Sequence, residues 1–95
     1  MAKLGAGAVM SDELAVGLAR ANVPKEVIDA IRASMLGAAV DPYALSYAHR
    51  VTTAYDIYGV EGVKMQVAYI LINAAKWKGE EARNAKKLLK RWCAT

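Results

Sequence analysis

The sequence predicts an all-α fold: a compact bundle of four or five short helices around a central apolar helix at about 60–76. Three observations carry this. The stretch 60–76, VEGVKMQVAYILINAAK, is apolar around most of its circumference at roughly 100° per residue. Val60, Val63, Val67, Ile70, Leu71 and Ala74 form one stripe that Trp77 continues, and Met65, Ala68, Tyr69 and Ile72 cover much of the remainder. A helix with a polar edge as narrow as Glu61, Lys64, Asn73 and Lys76 calls for neighbours on nearly every side. Second, no segment alternates with the period of two that a half-buried strand needs. Third, proline, glycine and capping residues divide the chain at helical intervals.

Taken in order, residues 1–10 are small, Gly-rich and aperiodic, and read as a flexible N-terminal arm ahead of a single helical domain at 11–95. Gly5 and Gly7 lack the third glycine and the preceding strand of a phosphate loop. Ser11 is an N-cap, and Asp12 and Glu13 suit the positive end of a first helix reaching about Ala21 that buries Leu14 and Leu18. Asn22-Val23-Pro24 ends it, and proline opens a second helix to about Ala39 with Val27, Ile28, Ile31, Met35 and Leu36 on its inner face. Lys25 and Asp29, four residues apart, can pair on its wet side.

Asp41-Pro42 starts a third helix that runs to Tyr58 and stops at Gly59. The central helix follows at once, so the two form a hairpin or a sharp corner. Gly79 separates it from a last helix at about 80–92, because glycine costs about 1 kcal/mol relative to alanine inside a helix.

Composition narrows the function. Of the 56 % apolar residues, nineteen are alanine, which favours helix and close packing and lets a second copy of the chain complete the core. No run approaches the roughly 20 apolar residues that span a bilayer, and the N-terminal segment makes a poor secretory signal. A lone cysteine, Cys93, fits a reducing compartment, and a cytoplasmic location is expected. The net charge of +4 is uneven: residues 76–95 carry seven basic and two acidic side chains, whereas 1–75 carry six and seven.

That excess defines the first candidate site. On the last helix Ala82, Ala85, Leu88, Leu89 and Trp92 share one face, while Arg83, Lys86, Lys87, Lys90 and Arg91 gather opposite, with Lys76 and Lys78 nearby. A solubilising face mixes signs, as in Glu-to-Lys ladders; five cations on one side suit phosphates, since each one neutralised releases a counterion.

A second candidate is the tyrosine stripe Tyr43, Tyr47, Tyr55 and Tyr58, within roughly 120° of arc on the third helix, either core or a protein interface. The segment 14–32 has the outline of a helix-turn-helix, but Leu18 stands where a small residue is needed, and the second helix offers Lys25 and Arg32 mixed with Glu26 and Asp29.

Ser46, His49, Thr53 and Asp56 imitate a catalytic set. His49 and Asp56 are seven residues apart, about 10 Å along a helix, whereas a triad needs mutual contacts of about 3 Å. With one histidine and one cysteine, no zinc or calcium site can be composed, and no cofactor is expected. Two readings follow. The first is a non-enzymatic nucleic-acid-binding protein, or a subunit of a nucleoprotein assembly, that contacts phosphates through the C-terminal helix. The alternative is a structural or adaptor protein that self-associates or docks a partner through tyrosines and alanines.

Overall fold

The chain was analysed as a computed structural model, which describes residues 10–95. Six helical segments follow one another: α1 (Asp12–Arg20), α2 (Lys25–Gly37), α3 (Pro42–His49), α4 (Val51–Tyr58), α5 (Val60–Ile72) and α6 (Glu80–Cys93), with a 3-10 turn at Ala38–Val40. They form an all-α bundle of 31 × 30 × 19 Å. The short dimension equals about two helix diameters of 10 Å, so the molecule is a slab two helices thick. No described helix is long and apolar enough to cross a membrane.

Local chemistry sets the boundaries. The Ser11 hydroxyl accepts from Leu14 N at 3.1 Å, and the Asp41 carboxylate accepts from Tyr43 N at 2.9 Å and Ala44 N at 3.3 Å, so both expected N-caps form. α1 ends with Asn22 at φ 70°, Asn22 N donating to Ala19 O and Val23 N to Leu18 O, each at 3.0 Å. This is a Schellman closure with asparagine in the left-handed position, and Leu18 and Val23, which accompany it, are both buried. Lys25 and Asp29 pair at 3.0 Å, as their spacing predicts.

Three boundaries differ from the sequence reading. The arm was expected to reach residue 10, but Met10 is buried in the core; residues 1–9, the rest of that arm, lie outside the described residues. The third helix is interrupted at Arg50, whose φ of −93° and ψ of −5° separate α3 from α4. The central helix, expected over 60–76, stops at Ile72 because the Asn73 side chain turns back and donates to Tyr69 O at 2.9 Å, competing with the next turn. Trp77 therefore does not extend the α5 stripe; it packs on the backbone of Gly37 at the end of α2. Gly59 (φ 69°, ψ −147°) and Gly79 (φ 114°, ψ 173°) make the two sharp reversals in backbone regions essentially reserved for glycine.

α5 lies between α2, α3, α4 and α6. Val63, Val67 and Ile70 are fully buried and share one core cluster with Leu18, Ile31, Met35, Val51 and Leu89. Ser34, the fully buried polar residue among the described residues, is satisfied by donating to Ile31 O at 2.7 Å. A two-layer slab cannot wrap its middle helix completely, however. The expectation that this helix is enclosed holds on one side only: Met65, Tyr69 and Ile72 face outward, Ile72 with 74 % of its surface exposed.

Candidate nucleic-acid interface

α6 is strongly amphipathic. Ala82, Ala85 and Leu89 are buried and Leu88 and Trp92 half-buried, which fixes the rotation of the helix on α2 and α5. The opposite arc, about 100° wide, carries Arg83, Lys87, Lys90 and Arg91, all exposed, with Glu80 on the same arc at the start of the helix. Arg83 to Lys87 and Lys87 to Arg91 are four residues apart, so like charges stack along one ridge and cost the helix a few tenths of a kcal/mol per pair. Lys90 and Arg91 gain from the negative end of the helix; Arg83 and Lys87, in its middle, do not.

A groove of about 530 Å³ opens beside this ridge, lined by Trp77, Lys78, Arg83, Lys86, Lys87 and Lys90 with Gly79 at its end. Among the described residues, the ion pairs within bonding distance are Lys25–Asp29 and Lys64–Glu61. Among the described residues, no carboxylate lines the groove. Arg91 and Lys76 are exposed but lie outside the groove lining; Arg91 belongs to the ridge alone, and Lys76 flanks it.

Lys86 differs from its neighbours. Its half-buried ammonium donates to Ala74 O at 2.9 Å and Trp77 O at 2.6 Å, and lies 5.6 Å from the Trp77 ring centroid. It thus ties the segment between α5 and α6 to α6, adding a second donor to Ala74 O, which already accepts from Trp77 N at 3.0 Å, and a donor to Trp77 O. Two of its three donors are committed inside the protein. The helical wheel carried a signal of this: Lys86 falls about 40° from buried Ala82, at the margin of the apolar arc. Lys86→Met is accordingly expected to lower stability by about 1–2 kcal/mol, since hydrogen bonds from a charged group are worth about 1.5–3 kcal/mol when well formed. Lys87→Met should stay within about 0.5 kcal/mol, as an exposed position does. Equal melting temperatures for the two variants by circular dichroism would overturn this assignment.

The four tyrosines singled out by spacing do not share one surface. Tyr43 and Tyr58 are exposed, whereas Tyr55 lays its hydroxyl against Gly17 of α1 and is packed on the core. Tyr47 stacks on Tyr69 of α5, with ring centroids 4.8 Å apart and planes 22° apart, and the Arg50 guanidinium lies 5.9 Å from its ring. The tyrosines therefore bind helices to one another at two of the four positions. Tyr69, not singled out as an interface residue by the sequence reading, is the partner that a stripe drawn on one helix could not reveal.

The helix-turn-helix outline yields a pair of bundle helices. α2 packs along α6, and the groove between them is lined by Glu26, Asp29, Glu80 and Glu81, a surface that repels phosphate. Ser46, His49, Thr53 and Asp56 are all exposed and make no side-chain hydrogen bond to one another.

At the far end of α6 the Cys93 thiol donates to Lys64 O at 3.5 Å. Burial pushes its pKa up, and the nearby Lys64 ammonium offsets this in part, so the thiol is less ionised at neutral pH than a free one. No family model matches this chain, and neither a curated protein nor a solved structure matches it.

Proposed function

We propose that this protein is a non-enzymatic nucleic-acid-binding protein, or a subunit of a nucleoprotein assembly, that contacts phosphates through the outer ridge of α6. One observation carries the reading: Arg83, Lys87, Lys90 and Arg91 stand exposed on one ridge with no carboxylate in bonding distance. Past Glu80 at the start of the helix the ridge carries only positive charge, and a polyanion would offset its repulsion. Lys78 extends the ridge across the groove and Lys76 flanks it; Lys86 contributes field and holds the groove floor in place.

The side chains on the ridge are long and flexible, and none is locked in a bidentate fork by a neighbour. Such groups position a nucleic acid by its backbone; they do not read base edges. Stacking of bases on Trp77 is disfavoured because Gly37 lies against its ring and the Lys86 ammonium lies near it.

The test is a salt titration. Binding of a labelled duplex and a labelled single strand of mixed sequence is measured by anisotropy between about 50 and 200 mM salt. Four phosphate contacts at a slope of about −0.9 each on duplex give a loss of roughly 100- to 200-fold over that range. Sequence-scrambled duplexes are expected to bind alike. Absence of binding at the low-salt end sinks the proposal.

A further inference from the structure

We infer that the open side of α5 is the contact surface for a second copy of this chain, the two α5 helices lying antiparallel across a two-fold axis. Apart from Lys90, the observations are separate from the basic ridge. At 100° per residue, the outward arc of α5 holds Glu61, Met65, Ala68, Tyr69 and Ile72. Past Glu61 at its start, the arc is apolar over about two turns, and Met65, Tyr69 and Ile72 are 49 %, 41 % and 74 % exposed.

Two walls flank this floor. On one side Tyr47 of α3 stacks on Tyr69, with Tyr43 a turn away and 73 % exposed. On the other, an apolar depression of about 340 Å³ is lined by Ala68, Leu71, Ile72 and Cys93, with Lys90 of α6 at its edge.

The distribution of charge and volume along the arc selects the occupant. Glu61, 3.6 Å from the Lys64 ammonium of its own helix yet with 80 % of its side chain exposed and open to a second cation, marks the N-terminal end; Lys90 stands beside Ile72 at the C-terminal end. Placed antiparallel, Glu61 of one copy meets Lys90 of the partner subunit, and the same pair recurs at the other end. A parallel pairing leaves both carboxylates together. An anionic lipid surface would repel Glu61. The midpoint falls between Met65 and Ala68, so the long Met65 side chain of each copy enters the space above the small residue Ala68 of the partner subunit. An arrangement in which every feature is matched by the same chain rotated by half a turn is an isologous interface.

The extent is sufficient only if the walls take part. A stable interface buries about 800 Å² per partner, about one-seventh of the 5667 Å² this chain exposes. A helix about 20 Å long and 10 Å wide offers a few hundred Å², so Tyr43 and the α6 edge are needed as well. The basic ridge stays outside the contact except at Lys90, and each dimer presents two ridges.

Sedimentation equilibrium without nucleic acid tests this independently of phosphate binding. At sub-millimolar concentration the chain is expected to sediment at twice its mass of 10.2 kDa. Ile72→Lys, at an exposed position beside Lys90, should yield a monomer with an unchanged melting curve in the dilute regime. Glu61→Lys should weaken dimerisation about tenfold, two exposed pairs being lost, and Glu61→Lys combined with Lys90→Glu should restore it. A wild-type chain that stays monomeric at every concentration, or an Ile72→Lys variant that still dimerises, overturns the interface. Failure of the double reversal to restore dimerisation overturns the antiparallel pairing.

Discussion

Exchanging Arg83, Lys87, Lys90 and Arg91 together for glutamine is expected to flatten the salt dependence of duplex binding by about 3.6 in log–log slope, at roughly 0.9 per phosphate contact. Between 50 and 200 mM salt the wild-type chain then loses about two orders of magnitude of affinity that the variant does not. The fold should not suffer. All four side chains are exposed, glutamine is a good helix former, and repulsions four residues apart are relieved. Lys86 is left in place because its removal would disturb the carbonyls it holds. A variant with Arg20 and Lys25 exchanged, exposed cations at the α1–α2 turn, should keep the wild-type slope. Parallel slopes for the fourfold variant and wild type, measured by anisotropy, would show that α6 is not the contact surface.

Gly62→Ala is expected to destabilise the protein by about 2 kcal/mol, although helix propensity alone forecasts a gain of about 1 kcal/mol for that exchange. The sign is decided by what surrounds the position. A Cβ built on Gly62 runs into the carbonyl group of Ala54 on α4 and meets Tyr58 Cβ at 3.0 Å. Neither neighbour is the free end of a side chain, so relief requires the α4–α5 corner to open. Overpacking of this kind costs about 1–3 kcal/mol and at a backbone contact should reach the upper part of that range or slightly exceed it. A loss of about 2 kcal/mol lowers the melting temperature of so small a domain by roughly 8–16 °C. Urea unfolding and a thermal scan both read it, and an unchanged or raised midpoint would refute the close-approach argument.

Much of the bundle was legible because it follows from local chemistry. Ser11, Asp41-Pro42, Gly59 and Gly79 act within a few residues of themselves, and each marks a boundary where expected. The early end of α5 was not legible. It depends on Asn73 choosing its own helix carbonyl and on Lys86, twelve residues beyond Ala74, holding Ala74 O and Trp77 O. Similarly, the break at Arg50 has no proline or glycine to announce it.

The basic ridge could be drawn from periodicity, since Arg83, Lys87, Lys90 and Arg91 share an arc by spacing alone. Lys86 has the same charge on the same helix; its place at the margin of the apolar arc hints at a different role, and the carbonyls it binds reveal which. The tyrosines show the opposite limit. Their common arc is real, but which neighbour each one meets depends on the placement of α1 and α5, and a single-helix wheel holds no information about either.

The pairing of each tryptophan with a lysine has an optical consequence. Trp77 forms part of the groove wall beneath the Lys86 ammonium, while Trp92 lies 5.5 Å from the Lys64 ammonium near the opposite end of α6. The two indoles therefore sample different electric fields along one helix. A ligand drawn to the groove changes the field at Trp77 while leaving that at Trp92 comparatively undisturbed. The molecule carries an intrinsic fluorophore inside its candidate interface and a reference fluorophore outside it, so occupancy can be followed on the unlabelled chain.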